Sequence, residues 1–339
     1  MEITGPANYE NQEQQPRDDI ARSPASPAIV FPPKPDLAEK KQDVWVKSLM
    51  SLALYLAFGF FVFQDKLALL LIITGIVIFH ELGHFLAMKI FDYKELGIFF
   101  IPLLGAYASG TKHEVSQKQS IIILLAGPLP GIILGIIFHF ITLYSPNELL
   151  ETTSRLLILL NLFNLLPVYP LDGGQILNRL FMDENHFISR TFIILSAAAM
   201  IWFSWEYIYP YSQLAFFILL YFPLNIILRL IGEIKNERLI KKIEAEGVNL
   251  STAYEDITDE NYWHIRNALI KHHPDLKDIP PAPPYQYASR EDKVIVTMQA
   301  LLQRYIIMDV TLAGKLIIIA IWAGSFLTPL LFKISMILF

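Results

Sequence analysis

Two histidines and a glutamate fall within five residues of an otherwise apolar stretch, His80-Glu81-Leu82-Gly83-His84. A helix turns 100° per residue, so His80 and His84 would project from one face, about 6 Å apart along the axis, a spacing that suits two imidazole ligands of one zinc ion. Glu81 would lie beside that face, where a carboxylate can take a proton from a water activated by the metal. The pattern predicts a metal site with a neighbouring general base.

The predicted metal site needs a third ligand, because catalytic zinc usually has three protein ligands and one open position. The chain has no Cys, so the ligand must be His, Asp or Glu. Asp172 is the other strongly ionisable residue in a comparably apolar setting, where two prolines and two glycines interrupt the chain. We expect Asp172 to complete the site.

Chance is the alternative explanation of a five-residue pattern in a long apolar chain. Each ionisable group at bilayer depth costs at least ~2.5–3.5 kcal/mol on insertion scales. Three such groups within five residues therefore favour a functional metal site over accident.

The composition predicts a membrane protein. Of 339 residues, 54% are hydrophobic and 17% charged, with a mean hydropathy of +0.43, whereas soluble domains carry about a quarter charged residues. The net charge of -5 provides no broad basic surface, which excludes nucleic-acid binding. The absence of Cys excludes disulfides, iron-sulfur clusters and cysteine nucleophiles.

Seven apolar runs are candidates for membrane helices, since a span needs roughly 20 apolar residues. They cover 45–63, 67–91, 118–143, 153–171, 190–208, 213–233 and 314–333. A helix rises about 1.5 Å per residue, which would place His80 roughly 10 Å from the inner boundary of the hydrocarbon core. Asp172 would lie at the end of the fourth run, near the same side of the membrane.

The orientation follows from the basic residues near the ends of these runs. Lys and Arg concentrate before the first run and in alternate connections, at Lys34, Lys40, Lys41, Lys94, Lys112, Lys118, Arg179, Arg190, Lys235 and Arg238. The sequence predicts a cytoplasmic N-terminus and a metal site toward the cytoplasmic side.

The chain resembles the site-2 protease family of intramembrane zinc metalloproteases over residues 67–180. The resemblance rests on His80-Glu81-Leu82-Gly83-His84 and on Asn164-Leu-Leu-Pro167 followed by Leu171-Asp172-Gly173, the two signature strings in the family's order. It implies that His80, His84 and Asp172 bind one Zn²⁺ ion, that Glu81 is the catalytic base and that Asn164 lies beside the substrate.

Two further strings agree with the resemblance. Residues 97–107 are apolar but interrupted by Pro and Gly, and they resemble the family's re-entrant β-loop. An extended substrate would add to the edge of its apolar strand, which makes Ile98, Phe99, Phe100 and Ile101 candidate substrate-binding residues. Gly131 stands where the family commonly has Asn, which puts one polar contact in doubt.

The predicted fold is an all-α polytopic membrane protein of about six to seven transmembrane helices, with a short re-entrant β-loop and a small cytoplasmic helical module. The predicted domains are a disordered cytoplasmic tail (1–43), an intramembrane metalloprotease domain (44–234), the helical module (235–312) and a C-terminal membrane segment (313–339). The partner of the module is not evident from the sequence.

The resemblance implies hydrolysis of a peptide bond in or near a transmembrane segment of a membrane-protein substrate, in a bacterial plasma membrane. A metal carrier or a non-catalytic metal-binding membrane protein is the alternative, but a carrier needs polar groups leading to both faces. The outer halves of the second and fourth runs are apolar. An inactive homologue is disfavoured because every signature residue is present.

Overall fold

The computed structural model describes residues 31–35, 44–63, 66–102, 105–112, 114–182, 185–250, 252, 254–302 and 306–334. The predicted disordered tail therefore lies outside the described residues, apart from residues 31–35. Within the described part the chain is mostly helical, and five helices are long and apolar enough to cross a membrane. They are Val44–Val62, Leu67–Ile90, Gln117–Tyr144, His186–Tyr207 and Gln213–Glu244.

Two long apolar helices and a β-hairpin begin the membrane domain. Helix α1 covers Val44–Phe63 and α2 covers Leu67–Ile90. Strands β1 (Lys94–Ile101) and β2 (Gly105–Thr111) form an antiparallel hairpin, with Phe100 opposite Ala106. The hairpin occupies the string predicted to be a β-loop, while its depth in a membrane remains a prediction.

A second group of helices carries the rest of the site. Helices α3 (Gln117–Ala126) and α4 (Pro128–Tyr144) follow each other around Gly127, and α5 (Glu148–Asn164) returns beside α4. The buried residues of this group include Ile121, Ile132, Ile158 and Leu165. The core of the membrane domain is thus built where α3, α4 and α5 meet.

The predicted fourth span, 153–171, differs from the helix that forms. Helix α5 ends at Asn164 after 17 residues, a length of about 25 Å, and residues 165–171 are irregular. Pro167 and Pro170 cannot continue the helical hydrogen bonding. The chain resumes as helix α6 (Asp172–Leu177) and a π-helical turn (Asn178–Met182).

Helices α7 (His186–Tyr207) and α8 (Gln213–Glu244) complete the set of long helices; α8 has 32 residues, and its last part, from residue 235 on, lies in the predicted helical module. Several helices begin at a side chain that caps their first turn by accepting a backbone hydrogen bond. The capping residues of α3, α5, α7 and α8 are Ser116, Asn147, Asn185 and Ser212.

The segment predicted as a helical module has a hydrophobic core of its own. Helix α9 covers Asp259–His272 and α10 covers Glu291–Leu301, with 3₁₀ turns at Tyr254–Asp256 and Pro274–Leu276. The core includes Tyr262, Leu269 and Met298, each without exposed surface. Its placement in the cytoplasm stays a prediction.

The C-terminal segment returns to the membrane domain. Strand β4 (Ile306–Ile307) pairs in parallel with β3 (Val115–Ser116). Helix α11 (Leu312–Ser325) and the short α12 (Thr328–Leu331) follow. Because α11 has 14 residues, a full membrane crossing by the predicted seventh run stays a prediction.

Candidate metal centre

The three predicted metal ligands converge on one point. The Nε2 atoms of His80 and His84 lie 3.0 Å apart, and Asp172 Oδ2 lies 3.1 Å from the first and 3.3 Å from the second. All three residues are buried. The convergence brings together two residues one turn apart on α2 and a third that is 88 residues further along the chain.

The hydrogen bonds on the far side of each imidazole indicate its tautomer. His80 Nδ1 lies 2.8 Å from the side-chain oxygen of Asn161, and His84 Nδ1 lies 2.7 Å from the backbone oxygen of Ile123. Both partners are acceptors, so each Nδ1 carries the proton and each Nε2 presents a lone pair. Two lone pairs and a carboxylate oxygen therefore face one another.

Such a donor set fits a divalent cation. Three electron-rich atoms at 3.0–3.3 Å repel one another without a cation between them, and ligands of a tetrahedral zinc at ~2.0–2.1 Å are separated by about 3.3 Å. His80, His84 and Asp172 form a cluster able to hold a metal in the described part of the chain. Within the described residues, Asp172 Oδ2 is buried without a hydrogen-bond partner, as expected of an atom that binds a metal.

Asp172 is placed by the irregular loop of residues 165–171. Trp322 Nε1 donates to Leu165 O at 2.8 Å, Gln175 Nε2 donates to Pro170 O at 2.9 Å, and Tyr169 N donates to Ser196 Oγ at 3.1 Å. These bonds fix the loop from α11, α6 and α7. Asp172 then stands as the first residue of α6, beside α3 and α2.

Gly127 allows the two histidines to sit against the α3–α4 junction. A Cβ at Gly127 would lie 2.4 Å from His84 Nε2 and 2.9 Å from His80 Nε2. Any side chain here would occupy the position of the metal ligands. The lack of space for a side chain explains the glycine at this position.

Glu81 is buried next to the ligands, and its Oε2 atom has no hydrogen-bond partner in the described residues. The backbone of Ala108 in β2 hydrogen-bonds its carboxylate. A cavity of about 80 Å³ opens beside Glu81, large enough for water. It is lined by Ile76, Val77, His80, Glu81, Gly105, Ala106, Leu160, Asn161 and Asn164.

The predicted substrate-binding residues fall into two groups, one at the cavity and one further from it. Asn164 lines the cavity, together with Gly105 and Ala106 of β2. Residues 98–101 lie one strand further away, because β1 pairs with β2 and its Phe100 N–H donates to Ser51 Oγ of α1 at 3.0 Å. The strand beside the cavity is thus β2.

Asn161 was not identified from the sequence. It is fully buried, its side-chain oxygen bonds His80, and its amide nitrogen donates to Leu157 O at 2.7 Å. A Cβ at Gly131 would lie 2.2 Å from that amide nitrogen. The glycine at position 131 thus makes room for Asn161, whose side chain on α5 contacts His80.

The segment that contains both histidines resembles a known family. Residues 68–155 match the family model described as Peptidase family M50, the family of the site-2 proteases. The match contains His80, Glu81 and His84 and ends before Asn164 and Asp172. It confirms the resemblance for this part of the chain.

Curated relatives extend the similarity to other organisms. A zinc metalloprotease of Methanocaldococcus jannaschii is 30% identical over 135 residues, which are 38% of either chain. Stage IV sporulation protein FB of Bacillus subtilis is 32% identical over 122 residues, 35% of this chain and 42% of that protein. The chain spans less than half the length of these relatives.

A solved structure, the site-2 protease from Methanocaldococcus jannaschii, aligns with a TM-score of 0.40 and 23% identity. The alignment covers 54% of this chain and 88% of that one. The family match and the relatives' names support a zinc metalloprotease, and the apolar helices support an integral membrane protein.

Proposed function

We propose that the protein is an intramembrane zinc-dependent endopeptidase that cleaves a membrane-protein substrate in or near a transmembrane segment. The observation that supports this most is the convergence of His80 Nε2, His84 Nε2 and Asp172 Oδ2 within 3.3 Å. Glu81, whose Oε2 is unpartnered, borders the same cavity. A carrier or a storage site needs the three ligands but has no use for a buried, unpartnered carboxylate beside them.

The three ligands would hold one Zn²⁺ ion, which when bound supplies a Lewis acid that activates water and polarises a peptide carbonyl. Glu81 accepts the proton of the attacking water on its free oxygen. It then returns that proton to the amine nitrogen as the peptide bond breaks. Asn161 and the Ile123 carbonyl keep both imidazole rings in the ligating orientation throughout.

The substrate has to reach Glu81 as an extended segment, because a helical peptide bond is hydrogen-bonded internally and shielded by side chains. The β-hairpin offers main-chain partners for such a segment. Phe100 directs its N–H to Ser51 on α1, so its partner Ala106 also directs its N–H away from the ladder, toward the cavity. The substrate strand would thus add to β2, with residues 98–101 supporting β2 from behind.

Asn164 is the proposed polar contact to substrate main chain in this cavity. It lies three residues after Asn161 on α5, and both line the cavity. Local unwinding of the substrate favours spans that contain Gly, Pro or Asn near the cleaved bond.

The proposed setting is a bacterial plasma membrane, with the N-terminus and the metal centre toward the cytoplasm. The Lys and Arg residues that flank alternate spans support this orientation.

The test is cleavage of candidate membrane substrates by purified protein in detergent or vesicles, with zinc and with a chelator. Cleavage that depends on zinc and disappears in Glu81→Gln is expected. Metal-dependent transport without cleavage would support the carrier instead.

A further inference from the structure

A proline-rich piece of the N-terminal tail lies against the helical module. Residues 31–35 read Phe-Pro-Pro-Lys-Pro, and Phe31 packs against the hydrophobic core of the module, with its ring 5.1 Å from that of Tyr285. More than 200 residues separate the two partners in the chain. The contact is therefore a long-range docking of a short segment.

Three backbone carbonyls of the segment accept hydrogen bonds from aromatic side chains. Trp263 Nε1 donates to Pro32 O at 2.9 Å, the Tyr254 hydroxyl donates to Pro35 O at 2.9 Å, and the Tyr287 hydroxyl donates to Pro33 O. A proline-rich stretch has few N–H groups, so its exposed carbonyls are the groups a receptor can recognise.

Lys34 makes the contacts that a neutral residue could not make. Its ammonium group donates to three backbone oxygens of one turn, those of Tyr254, Glu255 and Ile257, at 2.9, 2.6 and 2.7 Å. It also lies 5.6 Å from the centre of the Tyr254 ring. Its backbone N–H donates to Asp259 Oδ1 at 2.7 Å, so the one N–H of residues 32–35 is satisfied as well.

The aromatic side chains that contact residues 31–35 are held in place by other residues of the helical module. Trp263 is 1% exposed and stacks on Tyr287 at an interplanar angle of 21°. Arg266 lies 5.1 Å from the Trp263 ring centre and pairs with buried Glu291. Trp263 and its neighbours are therefore fixed in place by interactions of the module itself.

We propose that the helical module is a binding site for a short proline-rich segment that carries a lysine, and that residues 31–35 are its intramolecular ligand. Aromatic donors directed at proline carbonyls and an apolar slot for one aromatic residue are the recognition chemistry of a polyproline II ligand, which loses little entropy on binding. The lysine contacts add specificity, because three carbonyls select an ammonium group. This site is separate from the metal centre and does not depend on the proposed proteolysis.

The site should accept the same sequence from a separate peptide once the chain's own segment is removed. The variant is the full-length protein with residues 31–35 replaced by Gly-Ser-Gly-Ser-Gly, and the probe is a fluorescent synthetic peptide of residues 28–37. Fluorescence anisotropy should show saturable binding to this variant. Wild type should bind at least about fivefold more weakly, because its tethered segment competes at an effective concentration near the millimolar range.

Matched changes identify the contacts. Asp259→Ala in the replaced chain should weaken peptide binding, since it removes the acceptor of the Lys34 N–H, whereas Glu260→Ala should leave it unchanged. Both residues are exposed acids in the first turn of α9, so each substitution removes one negative charge near the helix N-terminus. A peptide with Lys34→Ala should bind at least about tenfold more weakly, because it loses the ammonium contacts.

Hydrogen exchange of the intact chain supplies the second measurement. Lys34 has the single exchangeable backbone amide of residues 32–35, so a peptic fragment reports it directly. Its exchange should be slow in wild type, fast in Asp259→Ala and slow in Glu260→Ala.

Two results would overturn the proposal. In the first, the Lys34 amide of the wild type exchanges hydrogen as fast as in an unstructured peptide, and the variant with residues 31–35 replaced does not bind the peptide. The other is loss of hydrogen-exchange protection throughout α9 and α10 in the replaced variant, which would make residues 31–35 part of the module's fold and not a ligand.

Discussion

The side-chain oxygen of Asn161 lies 2.8 Å from Nδ1 of His80, and the amide nitrogen of the same residue donates to Leu157 O. The second bond settles which end of the amide faces the histidine. Because this oxygen accepts a hydrogen bond, Nδ1 of His80 carries the proton. The other ring nitrogen, Nε2, has a lone pair and faces Asp172. A residue on α5 thus determines the orientation of a ligand on α2.

Asn161→Ala should weaken zinc binding about 10- to 100-fold, the usual cost of losing an orienting partner of a ligating histidine. Competition against a chromophoric chelator measures the affinity. Asn164→Ala, one turn away on the same helix, is the control: it should bind zinc normally and cleave substrate more slowly. Equal zinc affinity in Asn161→Ala and wild type would contradict the orienting role.

The convergence of His80, His84 and Asp172 could be predicted from the sequence, whereas the contact of Asn161 could not. His80 and His84 are related by the period of one helix, and Asp172 was the one remaining acid in an apolar setting. The contact of Asn161 depends on how closely α4 and α5 cross, and Gly131 sets that distance. The glycine at position 131 indicated only that one polar contact was in doubt, and it did not indicate that Asn161 contacts His80.

Glu81→Gln should retain zinc and lose cleavage. The amide has nearly the shape of the carboxylate but cannot accept a proton from water, while all three ligands remain. Zinc content by atomic emission and cleavage of a membrane substrate are measured on one preparation. Residual activity comparable with wild type would require another base.

Asp172→Ala should lose the metal itself, since two imidazoles alone seldom hold a catalytic zinc. The same zinc analysis is the readout, and Glu81→Gln serves as its control because the charge change is equal. Full zinc occupancy in Asp172→Ala would show that another residue is the third zinc ligand.

Ala106→Pro should slow cleavage about tenfold without loss of zinc. Proline removes the N–H that faces the cavity and leaves the ladder to β1 intact, and one hydrogen bond contributes roughly 0.5–1.5 kcal/mol. Ala106→Val keeps the N–H and should cleave faster than the proline variant. Equal rates for the two variants would argue against strand addition at β2.

The hairpin also shows where the sequence-based interpretation was incomplete. The apolar residues Ile98–Ile101 form a recognisable strand, but an apolar run alone does not tell which edge of a hairpin faces the metal centre. The Ser51 contact to Phe100 decides this, and it depends on the packing of α1. Phe99 and Ile101 direct their N–H groups into the ladder, so proline at either position would disrupt the hairpin as a whole.

The docked segment 31–35 could not have been predicted either. Its proline content predicts that it cannot fold alone, and the sequence does not show which other part of the chain it contacts. The hydrogen bonds that order it come from Trp263, Tyr254 and Tyr287, whose convergence depends on the fold of the module.

Glu291→Gln should destabilise the helical module by about 3–5 kcal/mol at neutral pH, because it leaves Arg266 buried without its counter-charge. Asp292→Asn, the adjacent exposed acid, is the control and should change little. Burial alone would raise the pKa of Glu291, but hydrogen bonds from Arg266 and Tyr262 lower it below its ordinary value of 4.5. The stabilisation is therefore present above about pH 4.5 and declines as pH falls toward the lowered pKa.

Urea unfolding followed by Trp263 fluorescence, in a chain whose other four Trp are replaced by Phe, measures this difference. The difference in the free energy of unfolding between wild type and Glu291→Gln should be constant from pH 6 to 8 and become smaller below about pH 4.5. A gap that widened in acid would show that the carboxylate has a raised pKa instead.

Single thiols should report the orientation of the chain, which has no Cys of its own. Glu114 and Ser145 are both exposed and bracket the apolar span Gln117–Tyr144, which at about 1.5 Å per residue is long enough to cross the hydrocarbon core. In intact cells, Glu114→Cys should resist an impermeant maleimide and react only after permeabilisation, whereas Ser145→Cys should react at once. The contrast follows from the lysines beside Glu114, at Lys112 and Lys118, which favour the cytoplasmic side. The reverse pattern would invert the topology and place the metal centre toward the outer face, and equal reactivity of both thiols would show that Gln117–Tyr144 does not cross the membrane.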